Sequence, residues 1–197
     1  IMAENSNPLQ KFFRQPAIYI KLPSGGSYYP PGVLDIPPNG ELPIFPMTAM
    51  DEIIARTPDA LYNGSTTAEL FKSCVPNIKD PWAIPQSDID LLLIAVRIAS
   101  YGHDMDMSST CPECSEVSDF TFDLRTLIDK IKSPDYSKVC ELGDLKVYFK
   151  PMNYQQINEN SLRQFEEQKG LELQSNETLS MEDRAVNLRK SLENITK

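Results

Sequence analysis

SDIDLLLIAVRIASYG, residues 87–102, is the stretch on which the fold turns. Ile89, Leu91, Leu92, Leu93, Ile94, Val96 and Ile98 cover nearly every face of a helix, and the run is too long for a strand, so it reads as the central buried helix. Ser87 with Asp90 three residues later forms a capping pair at its start, and Gly102 ends it. Arg97 breaks the apolar run Leu91–Val96, far short of the roughly 18 residues that a membrane helix requires. The stretch is therefore a core helix around which the remaining segments must pack.

On its N-terminal side, Thr48 is a good N-cap with Asp51 three residues on and Ile53 and Ile54 turned inward, which predicts a short helix to about Arg56. Asn63-Gly64 marks a turn, and Ser65 or Thr66 then caps AELFKSCV (68–75), stopped by Pro76. Before these helices, Pro16, Pro23, Pro30, Pro31, Pro37, Pro38, Pro43 and Pro46 alternate with Gly25, Gly26, Gly32 and Gly40. That punctuation leaves short extended pieces, of which AIYIKL (17–22) and ELPIF (41–45) read as strands. The segment 1–47 is thus an extended arm that wraps over something else.

On the C-terminal side, DMDMSS (104–109) and VSDFTFDL (117–124) both alternate polar with apolar, a hairpin with CPEC (111–114) at its tip. LRTLIDKIK (124–132) is a short amphipathic helix and LKVYFKP (145–151) a further strand. Two polar helices follow, one from about Asn153 to Gln168 that ends near Gly170, and one from about Met181. Ser180 and Asp183 cap the last helix, and Met181, Ala185, Leu188, Leu192 and Ile195 make a heptad seam over about two heptads. The expected fold is α+β: an extended arm (1–47), an α+β core with a small helical centre and a hairpin (48–151), and a C-terminal helical extension (152–197).

Composition narrows the function. Nineteen basic against 28 acidic residues give a net charge of −9, which repels a phosphate backbone, and the densest basic group, Lys11, Arg14 and Lys21, is no patch. Nucleic acid is not an expected partner. The start, IMAENSNPLQKFF, lacks the pattern of a secretion signal, so the four cysteines are expected as thiols or metal ligands in a reducing cytoplasm.

The chemistry rests on CPEC. Cys111 and Cys114 are half of a tetrahedral zinc site, but no second C-x-x-C exists. Cys140 is the candidate third ligand; His103, the sole histidine, stands a strand length from the tip, and Cys74 reads as a buried thiol in an apolar helix. Redox catalysis is not expected, because a strand pattern rather than a helix follows the pair and Glu113 and Glu116 set negative charge beside it. The chain carries no G-x-S-x-G, P-loop, dinucleotide fingerprint or H-E-x-x-H, and an enzyme is not expected.

Longer strings are more specific than these short patterns. IKLPSGGSYYPPG (20–32), FPMTAMDEIIARTPDALYNG (45–64), KSCVPNIKDPWAIP (72–85), SDIDLLLIAVRIASYGHDMDM (87–107) with CPEC just after, and VYFKPMNYQQI (147–157) together resemble the small baseplate hub assembly proteins of T-even-type contractile-tailed bacteriophages. The resemblance covers roughly residues 8–157 and implies a non-enzymatic role in building the tail baseplate hub, in the cytoplasm of the infected bacterium or within the virion tail. It implies other hub and tail proteins as partners and supplies no catalytic residues. It includes CPEC, though Ser115 stands where a glycine commonly follows a knuckle's second cysteine. Phe12, Phe13, Tyr28 and Tyr29 of the arm and the seam Met181, Ala185, Leu188, Leu192 and Ile195 are the candidate partner-binding residues. The alternative class is a zinc-binding regulatory or adaptor module.

Overall fold

The computed structural model describes residues 14–56 and 64–175. In chain order the elements are β1 (Ile18–Ile20), β2 (Leu42–Ile44), α1 (Ala49–Ala55), α2 (Ser65–Cys74), a single 3-10 turn (Pro81–Ala83), α3 (Gln86–Tyr101), β3 (Asp104–Thr110), β4 (Val117–Asp123), α4 (Arg125–Ile128), β5 (Cys140–Leu142), β6 (Leu145–Val147) and α5 (Tyr154–Ser175). Among the described residues, three antiparallel two-stranded sheets and five α-helices make the fold α+β. The chain divides into two units, Ile1–Tyr154 and Gln155–Lys197.

α3 is the central helix that its sequence dictates. Ile89, Leu91, Leu92, Ala95, Val96 and Ile98 are buried on it, but Leu93 is 38% exposed, so its burial is not complete on every face. β1 and β2 of the proline-rich segment pack on this helix, and Ile20, Leu22, Leu42 and Ile44 of that segment and Ala68, Phe71 and Cys74 of α2 are buried in the same unit. The two short strands expected in that segment pair with each other, Ile18 opposite Ile44 and Ile20 opposite Leu42, which turns Ile20, Leu42 and Ile44 inward. The segment is therefore fastened into the core by its own two-stranded sheet.

The helix starts reflect both local rules and distant contacts. At α1 the Thr48 hydroxyl accepts from the Asp51 N–H while the Asp51 carboxylate accepts from the Thr48 N–H, the reciprocal box the sequence predicts. At α3 the expected Ser87–Asp90 cap does not form: Pro85 is the N-cap residue, the helix begins at Gln86, and Asp88 is withdrawn into the core. α2 likewise starts behind Gly64, whose φ of 72° is open to glycine at little cost, rather than behind a side-chain cap from Ser65 or Thr66.

Backbone bridges knit the remaining loops to this core. Leu34 bridges to Ile78, with the Asp35 N–H donating to the Asn77 carbonyl at 2.9 Å and the Lys79 N–H to the Val33 carbonyl at 2.8 Å. Pro85 bridges to Asn153, framed by Gln86 N–H to Met152 O and Tyr154 N–H to Ile84 O, each 2.8 Å. Trp82 stacks on Tyr154 at 5.3 Å between centroids, and the Tyr154 hydroxyl donates to the Gly64 carbonyl at 3.0 Å. α5 runs through Gly170 instead of ending there; one interior glycine costs about 1 kcal/mol relative to alanine, which a 22-residue helix absorbs. The second C-terminal helix expected from Met181 lies outside the described residues.

Candidate functional site

Two polar clusters lie inside the first unit, and each ties distant segments together. Asp88 is completely buried; its carboxylate accepts from the Ser24 N–H at 2.8 Å, the Ser24 hydroxyl at 2.5 Å, the Tyr29 hydroxyl at 3.0 Å and the Ser87 hydroxyl at 3.4 Å. Burial pushes its pKa up in spite of these donors, and burial beside the Asp88 charge pushes the Tyr29 phenol up as well. Tyr29 is thus turned inward as a clasp between the proline-rich segment and α3.

The second cluster centres on Arg14. Its guanidinium donates to the Ser73 carbonyl and hydroxyl, both at 3.0 Å, to the Pro46 carbonyl and to the Cys74 sulfur, and lies 3.7 Å from the Asp51 carboxylate. Partial burial raises the Asp51 pKa, but the Thr48 N–H and hydroxyl, the Ser73 hydroxyl and the Arg14 charge together bring it below the ordinary carboxylate value. Cys74, fully buried beside Arg14, has its thiol pushed up by burial, as befits an inert packing thiol.

The hairpin β3–β4 carries the thiol pair. Its register runs from Asp104 opposite Asp123 to Thr110 opposite Val117, so residues 111–116 form the tip, as the sequence predicts. Within the tip the Cys111 N–H donates to the Glu116 carbonyl and the Ser115 N–H to the Cys111 carbonyl, both at 2.9 Å. Ser115 takes the left-handed conformation at φ 58°, the position where a knuckle commonly has glycine. The backbone N–H groups of Cys114 and Glu113 and the Cys114 side chain hold the Cys111 pKa below the ordinary thiol value. Glu113 and Glu116 set negative charge beside the pair, yet the turn's own donors decide the sign at Cys111.

Cys140 and His103 stand elsewhere. Cys140 opens β5, opposite Val147, and His103 sits at the base of the hairpin with its Nδ1 3.7 Å from Asp104. Among the described residues no three His, Cys, Asp or Glu side chains gather into a metal-holding group. Among the described residues one surface hollow lies on the hairpin, walled by Asp106, Met107, Ser108, Asp119, Phe120 and Thr121, another is lined by Leu22, Ile36 and Leu42 beside Lys21, and a third by Glu69, Lys72, Lys79, Asp80 and Trp82.

Among the described residues, the most exposed apolar side chains lie where the sequence reads as only another strand. β5 and β6 close a hairpin at Gly143 and Asp144, with Gly143 at φ 61°, and every residue from 140 to 150 is exposed. Leu142 and Leu145 are 69% and 65% exposed, and Tyr148 and Phe149 72% and 58%. The LGDL turn at 142–145 was the legible signal for this ribbon; an isolated two-stranded ribbon has no second face to cover. Tyr28 is also at the surface, 45% exposed, with its ring edge-on to Tyr136 at 5.6 Å. Phe12, Phe13, Met181, Ala185, Leu188, Leu192 and Ile195 lie outside the described residues.

A surface of this kind is compatible with a protein that works by contact. A family model of T4 bacteriophage base plate proteins matches residues 16–193. The chain belongs to that family. It is a structural protein of the phage tail baseplate, and the match spans both units of the chain. No curated protein and no solved structure gives a significant match to this baseplate protein. No helix among its described residues is long and apolar enough to cross a membrane.

Proposed function

We propose that this baseplate protein acts in building the central hub of the tail baseplate, through protein–protein contacts and without catalysis, in the cytoplasm of the infected host. The observation that carries the reading is the β5–β6 ribbon with Tyr148 and Phe149 beside it. Four large apolar side chains more than half exposed on one short stretch form a patch of the kind that marks a partner surface. Other baseplate and tail proteins are the partners to which family membership points. Tyr28 is an exposed arm residue open to such contacts, and Phe12, Phe13 and the heptad seam from Met181 to Ile195 are further contact candidates.

The test is complementation. Phage lacking this gene product is supplied with a chain carrying Leu142→Asp and Leu145→Asp, and tail intermediates are isolated from infected cells. The expected result is a folded variant that is absent from baseplate intermediates and yields few complete tails. Incorporation and tail yield equal to those of the unaltered chain would refute the ribbon as the contact surface.

A further inference from the structure

We propose that the tip of the β3–β4 hairpin is half of a zinc site, completed by the same cysteine pair from a second copy of the chain. Zinc favours four tetrahedral ligands, and thiolates suit it best. The tip sets two cysteines three residues apart on one tight turn, closed by the Cys111 N–H on the Glu116 carbonyl and the Ser115 N–H on the Cys111 carbonyl, both at 2.9 Å. Cys114 is exposed and Cys111 half-buried, so both can be reached from outside the chain. The half-site is already shaped before any metal arrives.

The other two ligands do not come from the chain's own cysteines or histidine. The sequence holds four cysteines and one histidine. Cys74 is sealed in the core against Arg14, and Cys140 belongs to a separate ribbon. His103 is at the far end of a seven-residue strand, roughly 23 Å along the chain at about 3.3 Å per residue. A second hairpin tip supplies the missing pair without any rearrangement of either fold. Four thiols then give up their protons to solvent as Zn²⁺ binds.

Charge makes the association conditional on metal. Glu113 and Glu116 on each tip repel their counterparts on the other copy, and the hairpin adds Asp104, Asp106 and Asp119 of the same sign. Two tips therefore meet only around a cation. This inference concerns the hairpin alone and stands apart from the ribbon proposed to contact other baseplate proteins.

The experiment uses the full chain, purified under reducing conditions, with zinc content, sedimentation mass and the Co²⁺ absorption spectrum measured on the same preparation. The expected result is one zinc per two chains, a dimer that chelator converts to monomer, and a Co²⁺ spectrum with intense thiolate charge-transfer bands that saturates at the same ratio. Cys111→Ser and Cys114→Ser abolish metal and dimer together, with the far-ultraviolet spectrum confirming that the fold is intact, whereas Cys140→Ser changes neither. One zinc per monomer, loss of zinc in Cys140→Ser, a dimer that survives chelation, or reduced protein that takes up no zinc would each overturn the proposal.

Discussion

Ser24 and Asp88, sixty-four residues apart, are joined twice, the Ser24 N–H donating to one carboxylate oxygen at 2.8 Å and the Ser24 hydroxyl to the other at 2.5 Å. Tyr29 adds a third long-range donor, so one buried carboxylate pins the proline-rich segment onto the central helix. Asp88→Ala leaves those donors buried without an acceptor and is expected to cost about 3 kcal/mol, whereas Tyr29→Phe, which deletes one donor and leaves both from Ser24 and the one from Ser87, costs about 1 kcal/mol. Urea unfolding of both variants checks the ranking; equal losses would mean that Tyr29 does not share the Asp88 site.

The two interior carboxylates pull the pH dependence in opposite directions. Asp88 holds its proton to a higher pH folded than unfolded, because burial outweighs its donors. Between the ordinary carboxylate value and that raised value the folded chain binds more protons, so the Asp88 contribution declines as pH rises through the window. Asp51 is depressed by its donors and Arg14 despite partial burial, so its contribution is full above the ordinary value and is lost as pH falls through the lower folded one. Asp51→Asn, which also breaks the Thr48 box, is expected to cost about 1 to 2 kcal/mol at neutral pH and progressively less as pH falls through the depressed folded value. Asp88→Asn should instead gain on the parent as pH rises from acid. Stability curves of the two variants that run parallel across pH would contradict both assignments.

Legibility in the sequence followed the range of the interaction that decided each feature. The Thr48–Asp51 box, the paired strands at 18–20 and 42–44 and the CPEC hairpin are set by neighbours or by a register that alternation fixes, and they appear where the sequence puts them. The start of α3 was not legible. Ser87 with Asp90 reads locally as the capping pair, whereas Pro85 stands at the N-cap and Asp88 between them turns to Ser24, far away in the chain. Tyr29 has the same history: a tyrosine beside Tyr28 in a turn reads as surface until its hydroxyl is seen to need the Asp88 carboxylate. The β5–β6 ribbon was half legible, because LKV signals a strand while nothing local states that both of its faces stay bare.

Adjacent leucines on α3 separate burial from helix propensity. Leu92 is fully buried and Leu93 is not, although both belong to the same apolar run and the same helix. Leu92→Ala removes packed methyl groups and leaves a cavity, an expected loss of about 3 kcal/mol, while Leu93→Ala is expected to cost less than about 1 kcal/mol. Thermal unfolding of the pair distinguishes them, and a comparable loss at Leu93 would place that face against something other than solvent.

Trp82 and Tyr154 close the first unit where its last residues return to the core. Their rings stack at 26°, and the Tyr154 hydroxyl reaches the Gly64 carbonyl in front of α2, so a single residue holds both the 3-10 turn and the start of that helix. Tyr154→Phe keeps the stack and deletes only the hydroxyl, for an expected loss of about 1 kcal/mol. Trp82→Ala deletes the stack with its buried area and is expected to cost about 3 kcal/mol. Because the two variants remove different halves of one contact chain, the double variant Trp82→Ala, Tyr154→Phe should lose less than the sum of the two, as the unanchored tyrosine no longer holds its hydroxyl against Gly64. Strict additivity in urea unfolding would show that the stack and the Gly64 bond act independently.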